Sequence, residues 1–372
     1  MLRVAVDSLE PNLELAKDIF SKDGRLCLVA GAVLSAKNIE KLKAMNIEFV
    51  FLKNPIVELP HIDEVVKQET RQKVISVVKN SICKLRNNKA LELSLGQKEL
   101  VFEAIDSIIR KRDVILFLSQ IERHSDDIIA HSFNVAILSI ITALGMNLFC
   151  KEDLKTIFLG ALLHDVGKIA MTSQSTTSKE VRILQEEELP AEHAIIGFDM
   201  LRKKSNIPLL AAHIALQHHE RFDGKGYPRQ LGGDDMVLMA KIVCVANEYD
   251  NFITDRGCKK SMRIDQAYEK IASESGFSFD PEVVSVFLSR IALYPIGTIV
   301  KLTNGQLGVV IETTSKLQHR PKLRILIDEK GVFLEKHFEI DLSSSHYLTL
   351  FVQRVVDDDE ALQLMRNKVA IY

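Results

Sequence analysis

Histidines are concentrated in the middle of this sequence, and carboxylates lie next to some of them. Seven of the eleven histidines in 372 residues fall between positions 124 and 219, where even spreading would give about three. Some of these histidines lie next to a carboxylate, as in the pair His164 and Asp165 and in the run His218, His219 and Glu220. Neutral imidazoles and a bridging carboxylate from several helices are the parts of a binuclear transition-metal site, which can activate water for hydrolysis. The middle of the chain is therefore where we look for metal-dependent chemistry.

A series of helices would have to position these residues. His164 and Asp165 follow the apolar segment Leu154–Leu163, and neighbouring residues on a helix project about 100° apart. One of the two can therefore hold one ion while the other bridges to a second. Apolar spacing and helix-ending residues predict helices over 127–146, 152–163, 192–203, 208–219, 235–252, 264–275 and 281–290.

The flanking segments differ from this helical region. Residues 1–55 have strand-like alternation and one helix after a Ser35 N-cap, so they predict a small α/β segment. Residues 56–120 are charged and helical, which predicts a connector and a candidate homodimer surface. Over 294–372 the pattern is typical of antiparallel β structure, with Asn304 and Gly305 as a type I′ hairpin signal. The predicted fold class is mainly α, with a small N-terminal α/β segment and a C-terminal antiparallel β module.

Composition excludes several classes of protein. The 48 basic and 50 acidic side chains give a net charge of -2, so general nucleic-acid binding is not expected. The longest uncharged apolar run, Val135–Met146, is shorter than the ~20 residues that span a bilayer, and no signal peptide is expected. Five scattered cysteines without CxxC spacing fit reduced thiols. The expected location is the cytoplasm.

The combined motif resembles one known family. His131, the run His164-Asp165-x-Gly167-Lys168, His193 and the stretch from His218 to Pro228 resemble the HD-GYP domain, a bacterial branch of the HD phosphohydrolases. The resemblance covers about residues 121–290, within a predicted domain 121–293, and implies an HD-type helical bundle. It also implies a metal-dependent phosphodiesterase in second-messenger signalling, which hydrolyses cyclic di-GMP to linear pGpG, to GMP or to both.

The resemblance implies roles for individual residues and names cofactors and partners. Two divalent transition-metal ions are implied, iron ahead of manganese, with a third ion as an option. Cyclic di-GMP is the implied ligand, and GGDEF-type proteins are candidate protein partners. Two glycines of the last motif are expected to have positive φ angles. Metal ligands fall on His131, His164, Asp165, His193, His218, His219 and Asn247, a third-metal ligand on Asp127, catalytic roles on Asp165 and Lys168, and substrate binding on Lys168, Asp223, Gly224, Gly226, Tyr227 and Pro228.

Two departures from the family pattern bear on activity. Asn247 stands where the family has an acidic ligand, and the polar segment Thr172–Ser178 replaces a Lys-Pro-Gly turn. The missing negative charge is expected to lower metal affinity by at least roughly 10–100-fold, unless Asp250, one helical turn further on, compensates. Two alternatives therefore stay open. One is a weak or inactive domain that senses cyclic di-GMP or serves as an interaction scaffold, and the other is an HD phosphohydrolase that acts on a different nucleotide.

Overall fold

The computed structural model of the chain contains two compact units. One is Glu64–Ile291, and the other combines Met1–Asp63 with Ala292–Tyr372. The structure describes residues 2–20, 26–45, 47, 49–53, 66–86, 95–110, 128–172, 191–204, 207–254, 261–314, 317–357, 360–361 and 363–364.

Helices dominate the first unit and strands the second. The helices are α1 Ala36–Ala44, α2 Gln68–Arg86, α3 Leu95–Arg110, α4 Ile128–Met146, α5 Lys151–Leu163, α6 Val166–Thr172, α7 Glu192–Arg202, α8 Leu209–Gln217, α9 Leu238–Ile253, α10 Ile264–Ser273 and α11 Pro281–Arg290. The strands are β1 Leu2–Ala5, β2 Ile19–Phe20, β3 Leu26–Leu28, β4 Phe49–Leu52, β5 Ile299–Leu302, β6 Leu307–Glu312, β7 Lys322–Ile327, β8 Phe333–Asp341 and β9 Val352–Val355.

The predicted helices between 127 and 290 are confirmed, with small differences at their ends. The structure adds one helix that the sequence pattern did not reveal, the short α6, which begins directly after Asp165. His164 and Asp165 therefore lie in the sharp turn between two helices. This turn allows both side chains to point into the interior of the bundle.

Helix α4 is the central helix of the larger unit. By length and composition it could cross a bilayer, but most of its residues are buried inside the described part of this unit. Ile140 and Phe133 are fully buried, and the ring of Phe133 packs edge-on against that of Phe158 from α5. A helix that is apolar on all sides is typical of the core of a large helical protein. In this chain the core helix also carries a site residue, His131.

The connector helices pack on this same core. Val74 and Val78 of α2 and Ile105 and Ile108 of α3 are buried in the cluster that contains α4. The connector therefore belongs to the same compact unit as the helices that carry the histidines. The domain boundaries predicted from the sequence stay predictions.

The second unit joins the two ends of the chain. Its C-terminal part is a five-stranded antiparallel sheet in the order β8-β7-β6-β5-β9, which confirms the predicted β module. Its N-terminal part pairs β1 with β4 and β2 with β3, both antiparallel. Apolar residues of both parts, such as Val4, Leu15, Val309 and Ile327, share one buried cluster. This shared core was not predicted, because it joins segments far apart in sequence.

Two local predictions in this unit have different outcomes. Ser35 is the N-cap of α1 as predicted, and its hydroxyl accepts a hydrogen bond from the Asn38 amide at 3.2 Å. The type I′ turn is wrong. Only Gly305 of the predicted pair has a positive φ, +92°, and its amide donates to the Leu302 carbonyl at 2.9 Å. The hairpin between β5 and β6 therefore has a three-residue loop with glycine at the left-handed position.

Candidate metal centre

The turn between α5 and α6 presents His164 with a defined ring nitrogen. Its Nδ1 lies 2.7 Å from the Ala161 carbonyl oxygen. A carbonyl can only accept, so Nδ1 carries the proton and a neutral ring keeps a lone pair on Nε2. That Nε2 is 3.3 Å from Asp165 Oδ2. The local helix geometry therefore fixes the tautomer that suits a metal ligand.

The end of α8 repeats this arrangement. His218 Nδ1 donates to the Ala215 carbonyl oxygen at 2.8 Å, so its Nε2 also keeps a lone pair. This Nε2 is 3.5 Å from Asp165 Oδ1 and 3.3 Å from His193 Nε2 of α7. Burial lowers the pKa of His218 to about 3, and burial also holds the pKa of His219 well below its usual range. Both rings are therefore neutral at physiological pH.

The aspartate of the turn is shared by two clusters. Asp165, His193, His218 and His219 can each offer a ligand atom within 4.8 Å of the others, and so can His131, His164 and Asp165. Burial alone would raise the pKa of the Asp165 carboxyl, but neighbouring His164 and Lys168 lower it well below its usual range. Asp165 is therefore an anion at neutral pH. Its membership of both clusters is the geometry expected of a carboxylate that bridges two ions.

The donor set fits metal ions better than it fits a network of hydrogen bonds. His164 Nε2, Asp165 Oδ1 and His219 Nε2 are buried, and none of these three atoms has a hydrogen-bond partner. Leaving a buried polar atom unpaired costs roughly 1–3 kcal/mol each. Because His164 belongs to one cluster, His219 to the other and Asp165 to both, a cation in each cluster would satisfy these atoms. Two buried clusters of His and Asp therefore indicate metal binding, with imidazoles that suit transition metals.

His131 joins the site from α4 through two contacts. Its Nδ1 is 2.6 Å from Asp250 Oδ2, and its Nε2 is 3.0 Å from Asn247 Oδ1. Because Nδ1 donates to the carboxylate, Nε2 and Oδ1 are two acceptors that face each other. This contact is repulsive unless a cation lies between them, or unless the amide is turned so that its nitrogen donates to Nε2. If a cation lies between the two atoms, Asn247 is a metal ligand. If the amide is turned instead, its nitrogen uses the lone pair of His131 Nε2, and His131 cannot coordinate.

Asp250 does not take the place of the missing acidic ligand. Both of its carboxylate oxygens are engaged away from the clusters, because Oδ2 accepts from His131 and Oδ1 accepts from Asn134 Nδ2 at 3.0 Å. A carboxylate on the far nitrogen of a metal-binding imidazole fixes the ring orientation and its tautomer. Asp250 therefore orients His131, and the hypothesis that it compensates as a ligand is not supported by this geometry.

Lys168 brings a positive charge into the site. Its Nζ is 2.9 Å from Asp165 Oδ2, and the side chain is buried one helical turn after the aspartate. This placement is consistent with the predicted role in neutralising substrate phosphate. Asp127 and residues 173–178 of the atypical segment lie outside the described residues, so the third-metal prediction stays a prediction.

The loop 220–232 follows the histidine pair and covers one side of the site. The ring of Tyr227 stacks on that of His219 with centroids 4.6 Å apart, and the Tyr227–Pro228 peptide bond is cis. Gly224 has the expected positive φ of +75°, but Gly226 does not. Gly226 is needed for another reason, because a Cβ there would lie 2.4 Å from the Arg221 backbone nitrogen. Two glycines thus allow this loop to fold back tightly on itself.

Two acidic residues hold this loop together. Asp223 accepts hydrogen bonds from Arg221 at 2.9 and 3.0 Å, and the Arg221 guanidinium is the main reason why its pKa falls to about 2. Its carboxylate is therefore occupied within the loop. Glu220 was part of the sequence motif but was given no role of its own. It is buried, and its two oxygens accept from the amides of Arg229 and Leu231 at 2.7 and 2.9 Å. The sequence signal that could have pointed to a role for Glu220 is its position directly after the histidine pair.

Gly167 sets the distance between α6 and α7. A Cβ at this position would lie 2.0 Å from the carbonyl oxygen of His193, which is backbone and has little room to move. We expect Gly167→Ala to lower the free energy of unfolding by about 1–3 kcal/mol and to weaken metal binding, because His193 must shift. Urea unfolding and metal analysis on the same sample measure both effects.

Gly197 provides the matched control for that substitution. It faces Gly167 from α7, but a Cβ there would have its nearest neighbours at 3.5 Å or more, which is ordinary contact. Gly197→Ala is therefore expected to leave both stability and metal content close to those of the wild type. Equal losses in the two variants would show that the close approach at Gly167 has no special role.

Comparison with known protein families identifies two parts of the chain. A model of the HD domain matches residues 123–283, which include the described histidine clusters and Asp165. The chain contains an HD domain over these residues. The five-stranded sheet of the HD-domain protein lies within a second match, residues 299–364, to the KOW domain associated with HD domains. The HD domain is thus accompanied here by the β module that the sequence predicted.

Its curated relatives are cyclic dinucleotide phosphodiesterases. The HD-domain protein is 30% identical over 234 residues to the cyclic di-GMP phosphodiesterase PA4108 of Pseudomonas aeruginosa, covering 63% of this chain and 56% of that one. It is 32% identical to a cyclic di-GMP phosphodiesterase of Thermotoga maritima, covering 64% of each. It is also 28% identical to the 3'3'-cGAMP-specific phosphodiesterase 2 of Vibrio cholerae over 55% of this chain and 40% of that one. The HD-domain protein is thus similar to cyclic dinucleotide phosphodiesterases, and it spans less than two thirds of the length of these curated relatives.

Among solved structures, Bd1817 of Bdellovibrio bacteriovorus, described as a HDG"Y"P protein, is similar with a TM-score of 0.45 and 17% identity. The similarity covers 77% of this chain and 98% of that one.

Proposed function

We propose that this chain hydrolyses cyclic di-GMP to linear pGpG, and onward to GMP when a second phosphodiester is cleaved. The observation that carries the proposal is Asp165, which belongs to both clusters of ligand atoms in a buried site with unpaired lone-pair atoms. Iron is the metal we favour, with manganese second, because several imidazoles and few carboxylates suit such ions. Two ions in these clusters would acidify a water and neutralise charge on the scissile phosphate.

The residues of the chain have separate tasks in this scheme. Asp165 holds a negative charge between the two groups of imidazoles. Lys168 keeps an ammonium group at 2.9 Å from that carboxylate, so it places positive charge where phosphate oxygens would gather. Tyr227 stacks on His219 and lies edge-to-face with His193, so its ring packs against two candidate ligands. Water adds across one P–O bond of the ring, and the released 3′ oxygen takes up a proton.

One observation favours a second candidate function. The neutral Asn247 faces His131 Nε2 at 3.0 Å, where a carboxylate would bind a cation more strongly. A chain with one weakened cluster would still have the other cluster and the Lys168 ammonium with which to bind a dinucleotide. We therefore retain the sensor or scaffold as the alternative. The Vibrio cholerae relatives, which are named for 3'3'-cGAMP, make that dinucleotide the competing substrate.

The deciding experiment compares binding with turnover on one preparation. The chain is purified without oxygen, its metal content is measured, and it is then incubated with cyclic di-GMP or 3'3'-cGAMP after loading with ferrous or manganous ion. We expect linear pGpG to appear, with faster turnover of cyclic di-GMP than of 3'3'-cGAMP. Tight binding of cyclic di-GMP without product supports the sensor. Preferred cleavage of 3'3'-cGAMP contradicts the proposed substrate but retains the enzyme class.

A further inference from the structure

A buried arginine of the connector reaches the helix that carries His131. Arg71 lies in the first turn of α2 and is only 3% exposed. Its Nη2 donates a hydrogen bond to Asn134 Oδ1 of α4, and its guanidinium lies over the Phe133 ring with 5.5 Å to the centroid. A full positive charge is thus buried where α2 packs on α4. Such a charge is costly to bury unless it is paired or hydrogen-bonded.

The hydrogen bonds continue from Arg71 to the metal centre. Asn134 is one helical turn beyond His131, and its Nδ2 donates to Asp250 Oδ1 at 3.0 Å. Asp250 Oδ2 accepts from His131 Nδ1 at 2.6 Å. Arg71, Asn134, Asp250 and His131 are all buried. The path therefore runs from the connector to a candidate ligand through side chains that have little freedom to move.

The donor and acceptor roles of the side chains along this path agree at every step. An arginine can only donate, so its partner atom on Asn134 must be the amide oxygen, and the amide nitrogen must then face Asp250. A carboxylate can only accept while ionised, so His131 must donate from Nδ1. Nε2 is then left with the lone pair on the side of Asn247. Only Asn134 separates the positive charge of Arg71 from the buried Asp250 carboxylate.

We propose that Arg71 is a positioning residue for His131, through which α2 controls the cluster formed by His131, His164 and Asp165. This inference rests on the proposed function only in assuming that the cluster binds metal. Simple anchoring of α2 would not require a charge, because apolar side chains of similar volume often replace buried ionic groups without loss of stability. A guanidinium that holds Asn134, which in turn holds the Asp250 partner of His131, indicates control of that ligand.

The test uses cobaltous ion alone as the probe, on the full-length, metal-free chain. Arg71→Met keeps the length of the side chain and removes its charge, and Arg71→Lys restores the charge. Val74→Ala is the matched control, because Val74 is fully buried on the same helix and packs in the same core. Calorimetric titration gives the affinity for each ion, and the visible spectrum of bound cobalt reports the geometry of its ligands. The variant His131→Ala identifies which of the ions His131 binds. Urea unfolding of the metal-free variants measures stability separately.

We expect Arg71→Met to lower the affinity for the ion that depends on His131 by about 10–100-fold and to change the spectrum of that ion. The ion of the other cluster should be retained. Arg71→Lys should recover part of the affinity. Val74→Ala should lower stability without changing either ion. If Arg71→Met does not fold, Asn134→Ser interrupts the same path and should give the same loss.

Several outcomes would overturn the inference. One is a loss of stability in Arg71→Met with unchanged cobalt affinity and spectrum. Another is an equal change in Val74→Ala, and a third is wild-type binding that does not depend on His131. Failure of the proposed function is recognised separately, because a chain that binds two cobalt ions with these dependences but hydrolyses no cyclic dinucleotide contradicts the enzyme and leaves the role of Arg71 intact.

Discussion

Asp165→Asn is expected to abolish both tight metal retention and hydrolysis of cyclic di-GMP. The substitution preserves the shape of the side chain and removes the anionic charge that both clusters share. Removing a residue that only hydrogen-bonds to a metal ligand typically costs ~10–100-fold in metal affinity. The loss in Asp165→Asn should be larger, because Asp165 is itself the ligand that both clusters share. His164→Ala should have a similar effect, since it removes a ring nitrogen that has no other partner.

Asp165→Asn also reports on Lys168. The substitution removes the carboxylate charge 2.9 Å from the Lys168 ammonium in a buried site, and removing one member of a buried ion pair costs about 3–5 kcal/mol. Asp199→Asn is the matched control, because Asp199 and Arg202 form the same i,i+3 type of pair on an exposed surface. Exposed pairs contribute only ~0–1 kcal/mol, so this control should retain its metal and its stability.

Metal analysis, circular dichroism and urea unfolding on one sample decide this prediction. Circular dichroism should show that helix content is retained in the Asp165 and His164 variants. Unchanged metal content in both of them would contradict the assignment of the centre. Loss of metal in the Asp199 control would show that the chain loses ions through general destabilisation.

Asn247→Asp is expected to raise metal affinity by about 10-fold or more, since it restores one negative charge next to His131 Nε2. In the metal-free chain the new carboxylate adds a buried charge near Asp165 and Asp250, which should lower stability. With metal present that charge is compensated. Each tenfold gain in affinity adds about 1.4 kcal/mol to the stabilisation produced by saturating metal. The shift in melting temperature on adding manganous ion should therefore be larger in the variant than in the wild type.

Turnover of cyclic di-GMP is measured on the same two proteins. If the chain is a weakened enzyme, hydrolysis should rise together with metal affinity. If it is a sensor, metal binding should improve while hydrolysis stays at background. Asn251→Asp is the matched control, because it adds the same charge one helical turn further along α9. Brisk wild-type turnover that Asn247→Asp fails to improve would refute the idea that this position is a defect and would establish the amide as an adequate ligand.

Local patterns in the sequence predicted most of the helices and the motif that carries the site. The helices around the histidines have regular apolar spacing, and the Ser35 cap has a local hydrogen-bonding cause. The closeness of His164, His193 and His218 was implied by a family resemblance and not by spacing alone. Short α6 was missed because seven residues have too little periodicity to distinguish a helix from a loop.

The missing parts of the site depend on contacts between distant residues. Arg71 and Asn134 are 63 positions apart, and nothing around Arg71 distinguishes a buried arginine from the exposed basic residues of its helix. The roles of Asp250 and Gly226 likewise follow from what lies opposite them in space. The turn at Asn304 and Gly305 was misassigned because the same two residues also occur in three-residue hairpin loops, in which the glycine alone has a positive φ.

The shared core of the two chain ends has a consequence for the order in which the protein folds. Synthesis proceeds from the N-terminus, and the strands that carry Val4 and Val50 are made long before Val309 and Ile327, with which they share a buried cluster. The whole of Glu64–Ile291 is made in between and is contiguous, so its helices can fold before the shared cluster is complete. Closing so long a loop is entropically unfavourable and slow. The early strands can pair with each other, but their apolar side chains lack part of their buried cluster until the C-terminal strands have been made, and during that time they are exposed to aggregation or to capture by chaperones.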